Sequence, residues 1–149
     1  MATIFKKYDV RLVQDGGGLY DIDKKITSST QASELCRKLY DLDQLPYEKM
    51  VMITLNTQHE VVGCFEVGRG TVDEATVYPR EIALRCLLTN AKAVILTHNH
   101  PSGSLNPSPA DMDMTGRIED VLRMLDIRLL DHIIVTSDKT YSFADNDLL

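Results

Sequence analysis

Apolar positions along the chain fall into two patterns: short unbroken runs of strand length, and longer stretches where they recur every three or four residues. The runs are MVMITL from Met50 to Leu55, VVGCFEVGRGT from Val61, Lys92 to Thr97, Ile127 to Thr136, and a short last one over Thr140 to Phe143. Asn56 to Glu60 is polar and turn-like, so the first two runs read as an antiparallel hairpin. Lys92 to Thr97 carries so little polar content that a strand there belongs at the centre of a sheet.

Helical spacing begins after Ser28-Ser29-Thr30, where Ala32, Leu35, Cys36 and Leu39 lead to Tyr40. Tyr78-Pro79-Arg80-Glu81 reads as a second helix start, since proline suits a first turn, with Ile82, Leu84, Cys86, Leu87 and Leu88 as its body up to Asn90. Ser108-Pro109-Ala110-Asp111 opens a third, with Met114, Ile118, Val121, Leu122 and Leu125 on its apolar face. TIFKKYDVRLV, ending in Gln14-Asp15-Gly16-Gly17-Gly18, is rich in strand formers and predicts a hairpin arm or an added edge strand. The alternation of strands and helices predicts an α/β fold: a single domain with a mixed β-sheet flanked by helices. Residues 1–27 form an extension or added hairpin, and residues 28–149 the domain proper.

Composition narrows this picture in three respects. A chain of 149 residues with 44% hydrophobic content suits one core. A net charge of -6 disfavours nucleic acid as a partner, because such binding neutralises phosphates. Cys36, Cys64 and Cys86 are odd in number and set in apolar segments, which suggests buried thiols in a reducing compartment. The amino terminus lacks a signal-like apolar region, and no run approaches the ~18 apolar residues needed to span a bilayer. The expectation is a cytoplasmic protein with no membrane contact.

Candidate chemistry gathers where the central run ends, in THNHPSGSLNPSPAD. In a strand, residues two apart share a face, so His98 and His100 can present both imidazoles to one point. The turn-rich loop after them can bring Asp111 back to supply an oxygen, leaving a fourth position open. The plain alternative is that Ser108 and Asp111 are a helix cap, with the acid at the third helical position. Asn99 faces away from the two histidines by alternation, and with Ser102-Gly103 reads as loop-shaping. His59 falls in the predicted hairpin turn, facing solvent.

His98-x-His100, seven residues, Ser108, two residues and Asp111 reproduce the HxHx7SxxD core of the JAMM (MPN+/JAB) metalloproteases. The stretch from YPREIALRCLLTNAKAVILTHNHPSG through LLDHIIV resembles the RadC-like branch of that superfamily, and the likeness runs from about Ser28 to the carboxyl terminus. The helix-hairpin-helix region that precedes this domain in full-length RadC proteins has no room here. The resemblance implies a JAMM/MPN fold with cytidine-deaminase-like layering, and one zinc ion per chain held by His98, His100 and Asp111 with a water. It also implies hydrolysis of a peptide or isopeptide-like amide in an unidentified protein or peptide substrate.

Such an enzyme needs a glutamate as general base. Glu48 follows Pro46-Tyr47 and directly precedes the first strand, the order the superfamily uses, and is the choice; Glu66 is the runner-up, and Glu81 reads as a capping or paired acid. The matching serine, Ser108, caps the helix and can also donate to a developing oxyanion. Asp131-His132 could hydrogen-bond a metal ligand from behind.

Three rival readings stand beside this one. Zinc deaminases need H-x-E and P-C-x-x-C, which the chain lacks. An MPN-type scaffold would recruit partners without cleaving them. The association of RadC-like proteins with DNA repair suggests a third, but Lys6-Lys7 and Lys24-Lys25 make no basic cluster beside 22 acids.

Overall fold

The computed structural model describes residues 1–70 and 77–149. Its elements are α1 (Ser29–Tyr40), β1 (Lys49–Leu55), β2 (Val61–Arg69), α2 (Pro79–Leu88), β3 (Ala93–Asn99), α3 (Pro109–Met124), β4 (Arg128–Val135) and β5 (Thr140–Ser142), ending in a short 3-10 turn, Ala144–Asn146. The strands form one mixed sheet in the order β2-β1-β3-β4-β5. Among the described residues only the β3–β4 pair is parallel, and α3 makes the crossover between its strands.

Local chemistry sets the helix boundaries. The Ser28 side chain accepts the Gln31 amide at the start of α1, and Asp41 ends that helix in the left-handed region at φ 51°. Pro79 occupies the first turn of α2. That helix stops at Leu88, short of the expected Asn90, because Asn90 itself takes a left-handed turn at φ 51°.

β3 is buried along its whole length, as its composition predicts, and is covered on both faces. Facing α1 lies a core of Ala32, Cys36, Val51, Ile53, Ile95, Ile133 and Val135. Facing α2 and α3 lies a second core of Met50, Met52, Ile82, Cys86, Val94, Leu96, Ile118 and Leu122. The two cores make a three-layered domain. Leu96 is fully buried between strand and helices, and its truncation to alanine would cost about 2–5 kcal/mol.

The central strand runs two residues beyond its expected end, through Asn99, so His98 is a member of the sheet. β1 pairs antiparallel with it, with Met50 opposite His98. Continuing that register two residues back from Met50 brings Glu48 level with His100.

The amino-terminal segment differs from its expectation. Residues 1–20 form no helix or strand, and their apolar side chains stand in solvent, Ile4 at 88% and Phe5 at 90% exposure. Strand propensity without a partner satisfies neither the backbone ladder nor the apolar face. Pairing begins at an isolated bridge between Lys25 and Glu60. The predicted second strand ends at Arg69; Thr71, which the sequence pattern included in it, lies outside the described residues.

Candidate metal centre

The site is built where β3 delivers His98 and His100 to the start of α3. The loop between them turns at Gly103, whose φ of 83° suits glycine, and the Gly103 amide donates to the His100 carbonyl at 3.0 Å. This turn brings the Ser104 carbonyl to 2.8 Å from His100 Nδ1. A carbonyl only accepts, so His100 carries its proton on Nδ1 there and turns Nε2 inward.

His98 Nε2 and His100 Nε2 lie 2.9 Å apart. Asp111 reaches both, with Oδ1 at 3.3 Å from His98 Nε2 and Oδ2 at 3.4 Å from His100 Nε2. His98 and Asp111 are wholly buried, and His100 is nearly so. The three side chains offer ligand atoms that all lie within 4.8 Å of one another, a group placed to hold a metal ion.

Ser108 and Asp111 form the helix cap, and Asp111 also belongs to the group placed to hold a metal ion. Ser108 Oγ accepts the Asp111 amide at 3.0 Å, and Asp111 Oδ2 accepts the Ser108 amide at 2.8 Å, completing a capping box at the start of α3. Asp111 Oδ1 is buried with no hydrogen-bond partner. Oδ2 therefore holds the helix while lying near His100, and Oδ1 is left facing His98.

Electrostatics point the same way. Burial alone would raise the Asp111 carboxyl, but the facing His100 and His98 side chains outweigh it and hold the group well below the usual carboxylate range. The same Asp111 raises His100 above the ordinary imidazole value, against the opposing effect of burial. An ionised carboxylate facing two inward nitrogens in a buried site requires a cation among them, either a proton or a metal. Two nitrogens and a carboxylate oxygen form a donor set suited to zinc.

Behind His98 stands His132 of β4. Its Nε2 lies 2.7 Å from His98 Nδ1, and its Nδ1 lies 2.6 Å from Thr115 Oγ1 of α3. Thr115 Oγ1 in turn donates to the Asp111 carbonyl at 2.6 Å. His132 is fully buried and stacks on Phe143 at 4.6 Å, and burial lowers its pKa well below the ordinary value. Asp131 beside it fixes the chain end, accepting from Ser142 Oγ and the Ala144 amide. The DH pair thus divides its work between the sheet's end and His98. Thr115 gave no signal in the sequence, because it looks like any helical threonine.

The three candidate glutamates are placed differently. Glu48, just before β1, is near enough to His100 to raise its pKa, and its carbonyl accepts the Gly70 amide at 2.9 Å. Glu66 alternates with Phe65 and Val67 of the α2–α3 core, so it lies on the α1 face of the sheet, away from His98. There it accepts from Arg69 at 2.8 Å and pairs with the buried Lys49 at 3.8 Å. The Arg69 hydrogen bond, ahead of the other influences, lowers its pKa. Glu81 pairs with Arg85 at 2.9 Å within α2.

His100 also lines a polar cavity of about 230 Å³, with Asp43, Gln44, Asn99, Thr136 and Ser137 among its walls. His59 makes a left-handed turn at φ 62°, and its carbonyl accepts the Ile26 amide; it is half-buried where solvent exposure was expected. Burial pushes the thiols of Cys36 and Cys86 up to about 12 and that of Cys64 to about 11, which leaves them inert as nucleophiles. Among the described residues, no helix is long and apolar enough to cross a membrane.

The fold and this group of side chains define a JAB-type domain with a His-His-Asp site. Residues 26–148 match the family of RadC-like JAB domains, and the chain belongs to that family. It is 41% identical over 133 residues to a UPF0758 protein of Chromohalobacter salexigens, covering 89% of this chain and 58% of that one. It is 49% identical over 104 residues to a UPF0758 protein of Nitrosococcus oceani, covering 70% of this chain and 46% of that one. The chain spans about half the length of these curated relatives.

Proposed function

We propose that the chain is a JAMM-type hydrolase that holds one zinc ion through His98, His100 and Asp111 and cleaves a peptide or isopeptide-like amide. The observation that carries this reading is the convergence of two imidazole nitrogens on one buried carboxylate, Asp111, whose Oδ1 faces His98 with no hydrogen-bond partner. When bound, zinc supplies Lewis acidity, polarising the scissile carbonyl and lowering the pKa of a water from 15.7 toward about 7.

The remaining work falls to the chain's own residues. Glu48, level with His100 on the same side of the sheet, takes the proton of the attacking water and returns it to the leaving amine. Ser108 Oγ already accepts the Asp111 amide, so its own hydroxyl proton is left to donate toward the oxyanion that develops on the carbonyl. The partner is accordingly a protein or peptide, and the unpaired thiols favour a reducing, cytoplasmic setting.

Elemental analysis of the purified protein beside His98→Ala and Asp111→Ala tests this reading. Stoichiometric zinc in the parent that disappears in both variants is expected. A parent that carries no zinc and cannot be loaded with it would overturn the proposal.

A further inference from the structure

The two histidines of the site face one chemical requirement: each must present a bare Nε2, and so must keep its proton on Nδ1. For His100 a single backbone carbonyl, that of Ser104, meets the requirement directly. His98 has no carbonyl at Nδ1. Its partner is His132, a ring that can either donate or accept.

What decides the direction lies two side chains away. The sequence of close contacts runs from His98 Nδ1 to His132 Nε2 at 2.7 Å, from His132 Nδ1 to Thr115 Oγ1 at 2.6 Å, and from Thr115 Oγ1 to the Asp111 carbonyl at 2.6 Å. The last atom accepts only, so the single Thr115 hydroxyl proton must point at it. Thr115 then has only a lone pair for His132, whose proton must sit on Nδ1. His132 Nε2 is thereby left bare, and it accepts from His98 Nδ1. His98 Nε2 is left unprotonated, aimed at His100 and Asp111. Reversing any one bond would set two protons or two lone pairs against each other in a buried site.

We propose that Thr115 and His132 are positioning residues that fix the tautomer of His98, so that the backbone carbonyl of one metal ligand, Asp111, sets the lone pair of another. The inference rests on the metal-site reading above. The arrangement is a closed loop from Asp111 to Thr115 to His132 to His98 and back to the Asp111 carboxylate. It ties α3, β4 and β3 together behind the site, and none of its connecting atoms touches solvent: His98, Asp111 and His132 are all fully buried, and Thr115 is nearly so.

Thr115→Val tests this without touching a ligand or changing side-chain volume much. With the hydroxyl gone, His132 has no acceptor for a proton on Nδ1, so the proton moves to Nε2 and faces His98, whose own proton is driven to Nε2. Zinc affinity, read by chelator competition, should fall about 10- to 100-fold in Thr115→Val and in His132→Phe, the range found for lost partners of metal ligands. Thr115→Ser should restore affinity to within about threefold of the parent. A purely structural role for Thr115 would move thermal stability and leave affinity alone.

Nitrogen-15 NMR of the metal-free protein reads the tautomers themselves. His98 and His132 should both carry protons on Nδ1 in the parent, with His98 switching to Nε2 in Thr115→Val. Zinc binding by Thr115→Val as tight as the parent's, or a parent His98 protonated on Nε2, would overturn the relay. If the parent took up no zinc at all, the metal reading would fail, while the NMR tautomers would still decide the relay.

Discussion

The Asn99 side chain clasps the backbone on either side of Glu48: its Oδ1 accepts the Lys49 amide at 2.7 Å, and its Nδ2 donates to the Tyr47 carbonyl at 2.8 Å. Alternation turns Asn99 away from the histidines, and that is what lets it grip the neighbouring strand's entrance. Asn99→Ala leaves the buried Lys49 amide without a partner and should cost about 1–3 kcal/mol in chemical denaturation. Asn99→Asp keeps the acceptor but sets a carboxylate against the Tyr47 carbonyl, and should be no better. Both variants should keep zinc and lose turnover through a misplaced Glu48. Parent-like stability in both would remove the clasp from the account.

Glu48 and Glu66 separate cleanly as variants because Glu48, just before β1, lies near His100, whereas Glu66 lies on the α1 face of β2. Glu48→Gln should retain zinc and lose about 10²- to 10⁴-fold in hydrolysis of any substrate found, as expected for removal of a general base. Glu66→Gln should leave zinc content and hydrolysis unchanged, since its partners are Lys49 and Arg69. Measured rates in the reverse order would move the base to Glu66 and require the sheet face to be reassigned.

Ser108 does two jobs that glycine and alanine distinguish. At a helix cap, serine to alanine costs about 1 kcal/mol, while serine to glycine costs only a few tenths. Ser108→Gly should therefore keep its melting temperature near the parent's, whereas Ser108→Ala should not. If the hydroxyl also stabilises the oxyanion, both variants should lose hydrolysis to a similar degree. Ser108→Gly with full activity would reduce Ser108 to a cap.

Zinc affinity should fall as pH falls, and should begin to do so above the ordinary imidazole range. Asp111 raises His100, so in the metal-free chain His100 holds a proton at a pH where a free imidazole would have lost it. Below that raised value each metal ion must displace the proton, and affinity drops about tenfold per pH unit. Above it the affinity levels off. Calorimetry in buffers of differing ionisation heat should show proton release near neutral pH. Affinity that stayed flat down to pH 5.5 would contradict the His100–Asp111 coupling.

The parts legible in the sequence were those carried by local pattern. Strand runs and helix caps fell close to their observed bounds because burial on both faces leaves an apolar signature, as in β3. The histidine pair and Asp111 were legible through spacing. The capping box and a place in the His-His-Asp group looked like alternatives only because a sequence shows one carboxyl where the fold offers two oxygens. Residues 1–20 misled because strand propensity needs a partner to become a strand. Thr115 and the Asn99 clasp were not readable, since each depends on a backbone atom brought close by register or by a crossover.

The parallel pairing of β3 with β4 has a thermodynamic consequence. Parallel strands form no hairpin, so this pairing closes only after α3 has crossed over, a slow and entropically costly contact. The proposed metal ligands come from the end of β3 and the first turn of α3, and His132 braces His98 from β4. An ion bound there binds the closed crossover alone, contributing about 2.7 kcal/mol at a hundredfold excess over its Kd. Hydrogen exchange in β4 and β5 should therefore slow in step with zinc concentration, while β2, held by its local hairpin to β1, should exchange at an unchanged rate. Metal supply would then govern how long one flank of the sheet stays shut, independently of any substrate.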